Sequence, residues 1–430
     1  MLKSTFFSRN RSRLKGLLPK GALAIFHSND QYLKNGDDSY PFIQNADLYY
    51  LSGINQEETT LVLFPKASKK ELREILFIRD RSETIASWEG EKENLESASS
   101  QSGIKTVKWM SELDPILNSL IPEASHLFFN GNEHPRAERL VDDRNLRESR
   151  KWRQAYPLHH TGRLAPIMHQ LRQIKSSEEL KEIRSAISTT SRGLERVLKK
   201  IQPGMTEKMI EAEWAHSFIS EGEDFAYSPI IASGVNSCTL HYTTNHAHLE
   251  DGELLLMDVA ATCGNYHSDL TRTVPINGKF TKRQLAVYEA VLRVQQQVID
   301  YCRPGLKLAE VQEVALELVA KELFELKLLK KSDLKNPSLQ QKKVKQYYMH
   351  GIGHSIGLGT HDVTEPDPRL SLDWVITIEP GIYIKEEKIG IRLENMIQIQ
   401  KTGSKDMMKS LPLDPGDIEK AMKGTSPKPR

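Results

Sequence analysis

The sequence has little cysteine, little net charge and no long apolar run. Three cysteines in 430 residues cannot build a disulfide framework, which indicates a reducing compartment. The 59 basic and 57 acidic side chains leave a net charge of +2, which argues against nucleic acid as the main partner. No apolar run approaches the ~20 residues that cross a bilayer, so we expect no membrane span. What remains is a globular chain whose length favours two domains over a single core.

The two halves of the chain differ in pattern. The first half alternates helical segments with short strand patterns, and its charged stretch 136–153 predicts a helix. Ser176 and Glu179 then form a capping box that opens a long amphipathic helix. We therefore predict an α/β chain with an N-terminal mixed α/β domain over residues 1–170 and a second domain over residues 171–430.

A faint internal repeat divides the second domain. One predicted helix ends at Gln202-Pro203-Gly204, and another ends 101 residues later at Arg303-Pro304-Gly305. Each is followed by a second helix and then by two strands that carry two acids. This order predicts two α-β halves that close on a shared site, with the basic stretch 327–345 as an exposed insertion.

The first acid pair belongs to a predicted hairpin. A strand around Asp258 leads to the turn residues Cys263 and Gly264, and a second strand returns from Tyr266. If the hairpin closes about Cys263-Gly264, Asp258 lies directly opposite Asp269. Opposed like charges destabilise a sheet, and a buried pair needs a shared proton or a cation. A divalent metal ion is the simplest solution.

The second acid pair repeats this arrangement. Glu379 and Glu394 are equidistant from the charged tip 385–388, so we expect them to face each other across a ladder. The run from His350 to His354 lies between the two pairs. Four carboxylates and one imidazole suit two divalent ions, best manganese, with cobalt or zinc as alternatives. Such a pair of ions activates water for hydrolysis.

Seven short segments in a fixed order resemble one family, the metallopeptidases with the pita-bread fold, and within it aminopeptidase P, the Xaa-Pro aminopeptidases. Residues 40–53 resemble that family's N-terminal domain. The seven segments are His241-Tyr-Thr-Thr-Asn, Asp258-Val-Ala, Ser268-Asp269-Leu-Thr-Arg-Thr, His350-Gly-Ile-Gly-His354, Gly357-Leu-Gly-Thr-His361-Asp-Val, Ile378-Glu379-Pro-Gly-Ile-Tyr383 and Gly390-Ile-Arg-Leu-Glu394.

The resemblance implies a pita-bread catalytic domain with pseudo-two-fold symmetry and a division of labour among its metal ligands. Asp258 would bind one ion, and His354 with Glu379 would bind the other. Asp269 and Glu394 would bridge both ions. Glu379 would also pass a proton to the leaving nitrogen.

The resemblance also implies residues that act on the substrate. His241, His350, His361 and Arg392 would support catalysis, with His241 and His361 donating hydrogen bonds to the peptide carbonyl. Tyr227 and Tyr383 would bind substrate, and Trp88 would enter the proline pocket, with ordinary packing as its alternative role. Three histidines next to these segments, His246, His248 and His267, have no such assignment.

The activity implied is release of the first residue from peptides with proline in the second position. A prolidase that cleaves Xaa-Pro dipeptides is the main alternative, and a binding module without activity is a third. The chain departs from the family pattern at Asn395, where an acid is common. We expect peptides as partners, no nucleic acid and no membrane, and a homo-oligomer, either a dimer or a tetramer.

The basic N-terminus leaves two interpretations open. Residues 1–22 contain six basic side chains and no acid, as mitochondrial transit peptides do. The alternative is a basic first helix of the N-terminal domain, because the stretch leads directly into the strand pattern 22–26. We favour this helix and a cytoplasmic protein.

Overall fold

The computed structural model describes residues 2–137, 140–335 and 337–423. The chain divides into two compact units, Met1–Arg172 and Gln173–Arg430. Among the helices in the described ranges, none has both the length and the apolar character needed to cross a bilayer.

A mixed sheet forms the centre of the first unit. Within the described residues, six strands pair in the order β6-β5-β4-β1-β7-β8, and a separate hairpin joins β2 to β3. All six side chains of the central strand β1 are buried. The strands are β1 (Ala22–His27), β2 (Leu33–Asn35), β3 (Asp38–Ser39), β4 (Thr60–Leu63), β5 (Glu74–Ile78), β6 (Thr106–Trp109), β7 (His126–Phe129) and β8 (His160–Arg163).

Helices connect these strands. They are α1 (Ser4–Leu17), α2 (Ala46–Ser52), α3 (Glu83–Glu89), α4 (Leu95–Ser102), α5 (Leu113–Leu120), α6 (Arg144–Ala155) and α7 (Ala165–Gln173), with 3₁₀ turns at Lys70–Leu72, Met110–Glu112 and Ile121–Glu123. Part of the helix predicted over 136–153 falls on residues 138–139, outside the described residues. The helix observed begins at Arg144, where the Asp143 side chain caps it by accepting from the Leu146 N–H.

The basic N-terminal segment is a packed helix, as expected. Phe6, Phe7 and Leu14 of α1 are buried in the unit. Arg11 is also buried, and its guanidinium donates to the carbonyl of Leu51 at 2.8 Å and to that of Ser102 at 2.9 Å. The basic character of α1 therefore includes a structural arginine.

Six helices lie in the described part of the second unit. They are α8 (Ser177–Leu198), α9 (Glu207–Ile219), α10 (Lys282–Tyr301), α11 (Leu308–Glu325), α12 (Pro337–Val344) and α13 (Pro415–Met422). The capping box predicted at the start of α8 is confirmed, since the Glu179 N–H donates to Ser176 Oγ and the Ser176 N–H donates to Glu179 Oε2.

The strands of this unit form short antiparallel sheets. They are β9 (Ile230–Ser233), β10 (Leu254–Asp258), β11 (Thr262–Cys263), β12 (Tyr266–His267), β13 (Thr271–Pro275), β14 (Val375–Ile378), β15 (Gly381–Ile384), β16 (Ile389–Arg392), β17 (Asn395–Gln400) and β18 (Gly403–Asp406), with 3₁₀ turns at Gly234–Cys238 and Lys385–Glu387.

The predicted repeat is present in this unit. The pair α8–α9 leads to the three-stranded sheet β13-β10-β9, and the pair α10–α11 leads to the sheet β14-β17-β18. Each helix pair turns on a glycine with positive φ, Gly204 at 86° and Gly305 at 93°, where a side chain would be strained. The second unit is thus a pita-bread fold built from two α-β halves.

The register predicted for the first hairpin is wrong. Asp258 pairs with Thr271, not with Asp269. The turn residues are Gly264 and Asn265, both with positive φ, rather than Cys263 and Gly264. A tight two-residue turn requires two residues that tolerate positive φ, and Asn does so better than Cys. Because the partner shifts by two residues, Asp269 stays on the same face as a diagonal neighbour of Asp258.

The register predicted for the second pair is confirmed on both sides of the acids. Ile378 pairs with Asn395 in the ladder β14–β17, and Gly381 pairs with Arg392 in the ladder β15–β16. Both ladders follow one continuous alignment, in which Glu379 lies opposite Glu394. Pro380 interrupts the strands between the ladders, yet its carbonyl still accepts the Leu393 N–H at 3.2 Å.

Candidate active site

One tyrosine joins the first two acids. The hydroxyl oxygen of Tyr227 lies 2.6 Å from Asp258 Oδ1 and 2.6 Å from Asp269 Oδ1. Burial, reinforced by the negative charge of Asp258, raises the pKa of Asp269 well above its usual value. Burial and the same two carboxylates also raise the pKa of Tyr227. The two acids are therefore close together despite the shifted register.

A threonine joins the second pair of acids to the first sheet. Thr271 of β13 donates its hydroxyl to Glu394 Oε2 at 2.7 Å, and its carbonyl accepts the Glu394 N–H at 3.1 Å. Burial, followed by the charges of Asp269 and Glu379, raises the pKa of Glu394 well above its usual value. The two halves of the unit thus meet where their acids meet.

The loop before β14 positions His354. Its N–H donates to Thr377 Oγ1 at 3.1 Å, and its carbonyl accepts the Thr377 N–H at 2.9 Å. Gly353 lies so close to this strand that a Cβ there would stand 1.9 Å from the Thr377 carbonyl oxygen. The glycines of this run therefore serve close backbone packing, and the run is not helical.

The His354 ring is oriented as a metal ligand would be. Its Nδ1 lies 3.1 Å from the Ser355 carbonyl, which can only accept, so Nδ1 carries the hydrogen. The lone pair is then on Nε2, which lies 3.4 Å from Asp269 Oδ2 and 3.5 Å from Glu379 Oε1. Metal-binding histidines typically donate their other N–H to a carbonyl in this way.

These donors fit divalent cations. Ligand atoms of Asp269, His354 and Glu394 all lie within 4.8 Å of one another. Glu379 adjoins this trio through His354, and Asp258 adjoins it through Tyr227. Two of the acids have raised pKa values, so a cation is the natural counterpart of the cluster. The oxygen-rich donor set matches hard divalent ions.

A buried arginine connects the acids to the remaining polar residues. Arg392 donates from Nη2 to Asp258 Oδ2 at 2.7 Å, from Nη1 to the Tyr383 hydroxyl at 3.1 Å and from Nε to Thr271 Oγ1 at 3.2 Å. The same Tyr383 hydroxyl lies 2.8 Å from Nε2 of His350. Burial, helped by the charge of Arg392, lowers the pKa of His350 to about 3, so this ring is neutral.

The other predicted site residues are less enclosed. His361 is exposed, and its ring meets the His354 ring edge-on at a centroid distance of 4.3 Å. His241 is also exposed. Trp88 belongs to the first unit, where its side chain is 84% exposed, so it is not ordinary core packing. Its role in a proline pocket stays a prediction.

Sequence reasoning missed the hydroxyl side chains among the acids. Thr271 donates to Glu394 and accepts from Arg392, and Thr377 lies 3.4 Å from Glu379 Oε1. Both threonines are strand residues close in sequence to the acids, which is the signal that could have revealed them. The strands supply them because their side chains alternate between faces.

Asn395 occupies the position where an acid was expected. Its side chain accepts from the buried Arg272 at 2.8 Å and donates to Asp406 at 2.7 Å. An acid is still present next to this position, because Asp406 accepts the hydrogen bond from the Asn395 side chain. No metal ligand is affected by this exchange.

Comparison with known proteins gives a consistent family. The family model "Metallopeptidase family M24" matches residues 181–401, and "Aminopeptidase P, N-terminal domain" matches residues 7–128. The Xaa-Pro aminopeptidase of Haemophilus influenzae is 31% identical, with 98% of this chain and 97% of that protein covered. The mitochondrial intermediate cleaving peptidase 55 of Arabidopsis thaliana is 29% identical, with 95% and 81% covered.

Solved structures agree with these sequence matches. Zinc-substituted Escherichia coli aminopeptidase P, in complex with product, superposes with a TM-score of 0.87 at 30% identity. The match covers 99% of this chain and 100% of that one. The Pseudomonas aeruginosa aminopeptidase PepP superposes with a TM-score of 0.90 at 28% identity, with 98% of each chain covered.

Proposed function

We propose that this chain, which belongs to metallopeptidase family M24, removes the first residue from peptides with proline in the second position. Membership makes the chain a metal-dependent hydrolase. The main support for the proposal is the position of His354 Nε2, which lies 3.4 Å from Asp269 Oδ2 and 3.5 Å from Glu379 Oε1. A lone pair and two carboxylates converge there on space suited to a cation.

The proposed ligand set is the one that the family resemblance implies. Asp258 would hold one ion, His354 and Glu379 the other, and Asp269 with Glu394 both. The raised pKa values of Asp269 and Glu394 support a shared position, because each is influenced by the charge of other acids in the set. Manganese is the proposed metal, since the donors are mainly carboxylates.

Divalent ions held in this set would lower the pKa of a water molecule and polarise a carbonyl. The protein's own groups complete the reaction. The Glu379 carboxylate accepts a proton from the attacking water and returns it to the leaving nitrogen. The exposed imidazoles of His241 and His361 donate to the developing oxyanion.

The neutral His350 and the Arg392 fork support binding rather than proton transfer. His350 Nδ1 lies 2.8 Å from the Gly351 carbonyl oxygen, which can only accept, so Nδ1 carries the hydrogen and Nε2 accepts from the Tyr383 hydroxyl. Arg392 joins the Tyr383 hydroxyl to Asp258, and the proposed proline pocket is built around His361, Tyr383 and Arg392. Trp88 and Tyr227 complete the proposed substrate contacts.

A peptide panel with added manganese tests the function. Ala-Pro-Ala should release alanine faster than Ala-Ala-Ala, because loss of the proline ring contacts costs on the order of 2 kcal/mol, roughly thirtyfold in kcat/KM. The dipeptide Ala-Pro should be a poor substrate, whereas a prolidase would prefer it. Equal rates on the two tripeptides would overturn proline specificity and leave metal-dependent hydrolysis in place.

Three further features are part of this proposal. The N-terminal domain is assigned to residues 1–170 and the catalytic domain to residues 171–430. The protein is assigned to the cytoplasm, with the mitochondrion as the alternative, to be tested by fractionation and N-terminal sequencing.

We also propose that the protein forms a dimer or a tetramer. Exposed apolar side chains at Tyr32, Leu33, Tyr40 and Ile43 support this proposal, and light scattering measures the oligomeric state.

A further inference from the structure

A buried carboxylate lies outside the proposed metal ligands. Glu207 is the first residue of α9, and its residue exposure is 0%. Oε1 accepts from the Ser233 N–H at 2.7 Å, Ser233 Oγ at 2.8 Å and Asn236 Nδ2 at 3.2 Å. Oε2 accepts from the Tyr242 hydroxyl at 2.8 Å and the Ala247 N–H at 2.9 Å.

These five donors are neutral, and together they use the full accepting capacity of a carboxylate. The position at the start of α9 adds the favourable field of a helix N-terminus. Both oxygens of Glu207 act only as acceptors. A glutamine at this position would turn one acceptor into a donor that faces other donors, so it cannot reproduce the arrangement.

All five donors belong to one stretch of chain, residues 233–247. After the 3₁₀ turn Gly234–Cys238, this stretch has neither helix nor strand up to residue 247, and we refer to residues 234–247 as the His241 loop. Glu207 binds the loop near its start, its middle and its end. Asn245 adds a further attachment, since its Nδ2 donates to Glu211 Oε2 of the same helix at 2.9 Å.

The His241 loop packs against the part of the site where we propose that substrate binds. A small apolar cluster there contains Tyr383, and three alternate loop residues pack against it, namely Cys238, Leu240 and Tyr242. His241 lies between two of these packed residues, and it is exposed. The Tyr383 hydroxyl of this cluster lies 2.8 Å from Nε2 of His350. The direction of the His241 side chain therefore depends on how the loop packs against this cluster.

We propose that Glu207 is a positioning residue, which fixes the His241 loop so that the His241 imidazole is presented to the substrate. The role of His241 in this inference rests on the proposed function. The holding of the loop by Glu207 does not, so the two can be tested separately.

A double-mutant cycle tests the link to His241. Glu207→Gln should lower kcat/KM by roughly 10- to 100-fold on Ala-Pro-Ala, because a displaced donor loses its alignment. In a His241→Ala background the same substitution should cost less than about threefold, because the group it positions is gone. Metal content, measured by elemental analysis, should not change. Multiplied effects in the double variant would overturn the proposal.

Two further variants make the result interpretable. Tyr242→Phe removes one of the five hydrogen bonds and should give a smaller loss in the same direction, even if Glu207→Gln folds poorly. Glu310→Gln is the matched control, because Glu310 is an exposed acid in the first turn of α11. It should leave kcat/KM within about twofold of wild type, as surface changes usually do.

Hydrogen exchange measures the loop without any activity. Glu207→Gln should increase amide exchange across residues 234–247 and leave α10 protected as in wild type. Unchanged exchange in the loop would refute the inference. Faster exchange together with no release of alanine from Ala-Pro-Ala by the wild type would sink the proposed function and support the holding of the loop.

Discussion

Replacing Asp269 with asparagine should separate the stability of the second unit from its activity. Asp258 Oδ1 and Asp269 Oδ1 are at most 5.2 Å apart, since each lies 2.6 Å from the same Tyr227 hydroxyl. Two unit charges at that separation repel by about 3 kcal/mol at an effective dielectric constant of ~20. Proton uptake by Asp269 relieves part of this cost, so asparagine should stabilise the metal-free protein by about 1–3 kcal/mol.

The same substitution should abolish turnover, because asparagine keeps the shape and removes the charge that the bound cations need. In calorimetry with chelator, Asp269→Asn should melt roughly 3–10 °C above wild type. With excess manganese, it should retain less than about a tenth of wild-type kcat. Asp300→Asn, an exposed acid on α10, is the matched control and should change neither quantity. A variant that melts lower without metal, or stays active with it, would refute the reasoning.

Three further predictions concern metal, the arginine fork and acid stability. Chelation should lower the melting temperature, by roughly 5–10 °C from manganese near 100 times its Kd, and equal melting of the two samples would count against a buried metal cluster. Arg392→Lys should lower kcat/KM by about tenfold or more, because lysine cannot bind Asp258, Tyr383 and Thr271 together, and near-wild-type kinetics would contradict this. Burial lowers the pKa of His27 in the first unit from 6.5 to about 3, so the unfolded state binds the extra proton and stability falls as pH drops through 6.5 towards 3. Urea unfolding should show a loss of about 2 kcal/mol between pH ~7.5 and pH ~5 that His27→Gln lacks, and the same loss in both proteins would exclude His27 as its source.

The four acids and His354 stand out in the sequence because metal chemistry demands such residue types close together, and the structure brings Asp269, His354 and Glu394 within 4.8 Å of one another. Glu379 and Glu394 were also aligned correctly, since their equal distance from the tip 385–388 defines one antiparallel register. The first hairpin failed because its register depends on which two residues take positive φ. Gly264 and Asn265 do so, and local composition around Cys263 does not settle that choice.

Residues that act over long sequence distances could not be predicted. Glu207 accepts hydrogen bonds from residues 26 to 40 positions away, and nothing in its neighbourhood along the chain differs from an ordinary first helical turn. Thr271 meets Glu394 across 123 positions. Such pairs become apparent only when the two halves are folded against each other.

That separation has a consequence for folding kinetics. The sheet β13-β10-β9 is made within residues 230–275, and the sheet β14-β17-β18 within residues 375–406, so each can form from nearby strands. Contacts between the halves, such as Thr271 with Glu394, close a much longer loop and form later. Because the two acid pairs approach each other only in that step, the repulsion between the pairs opposes the joining of the halves. Salt screens such repulsion, so refolding without divalent ions should accelerate as ionic strength rises.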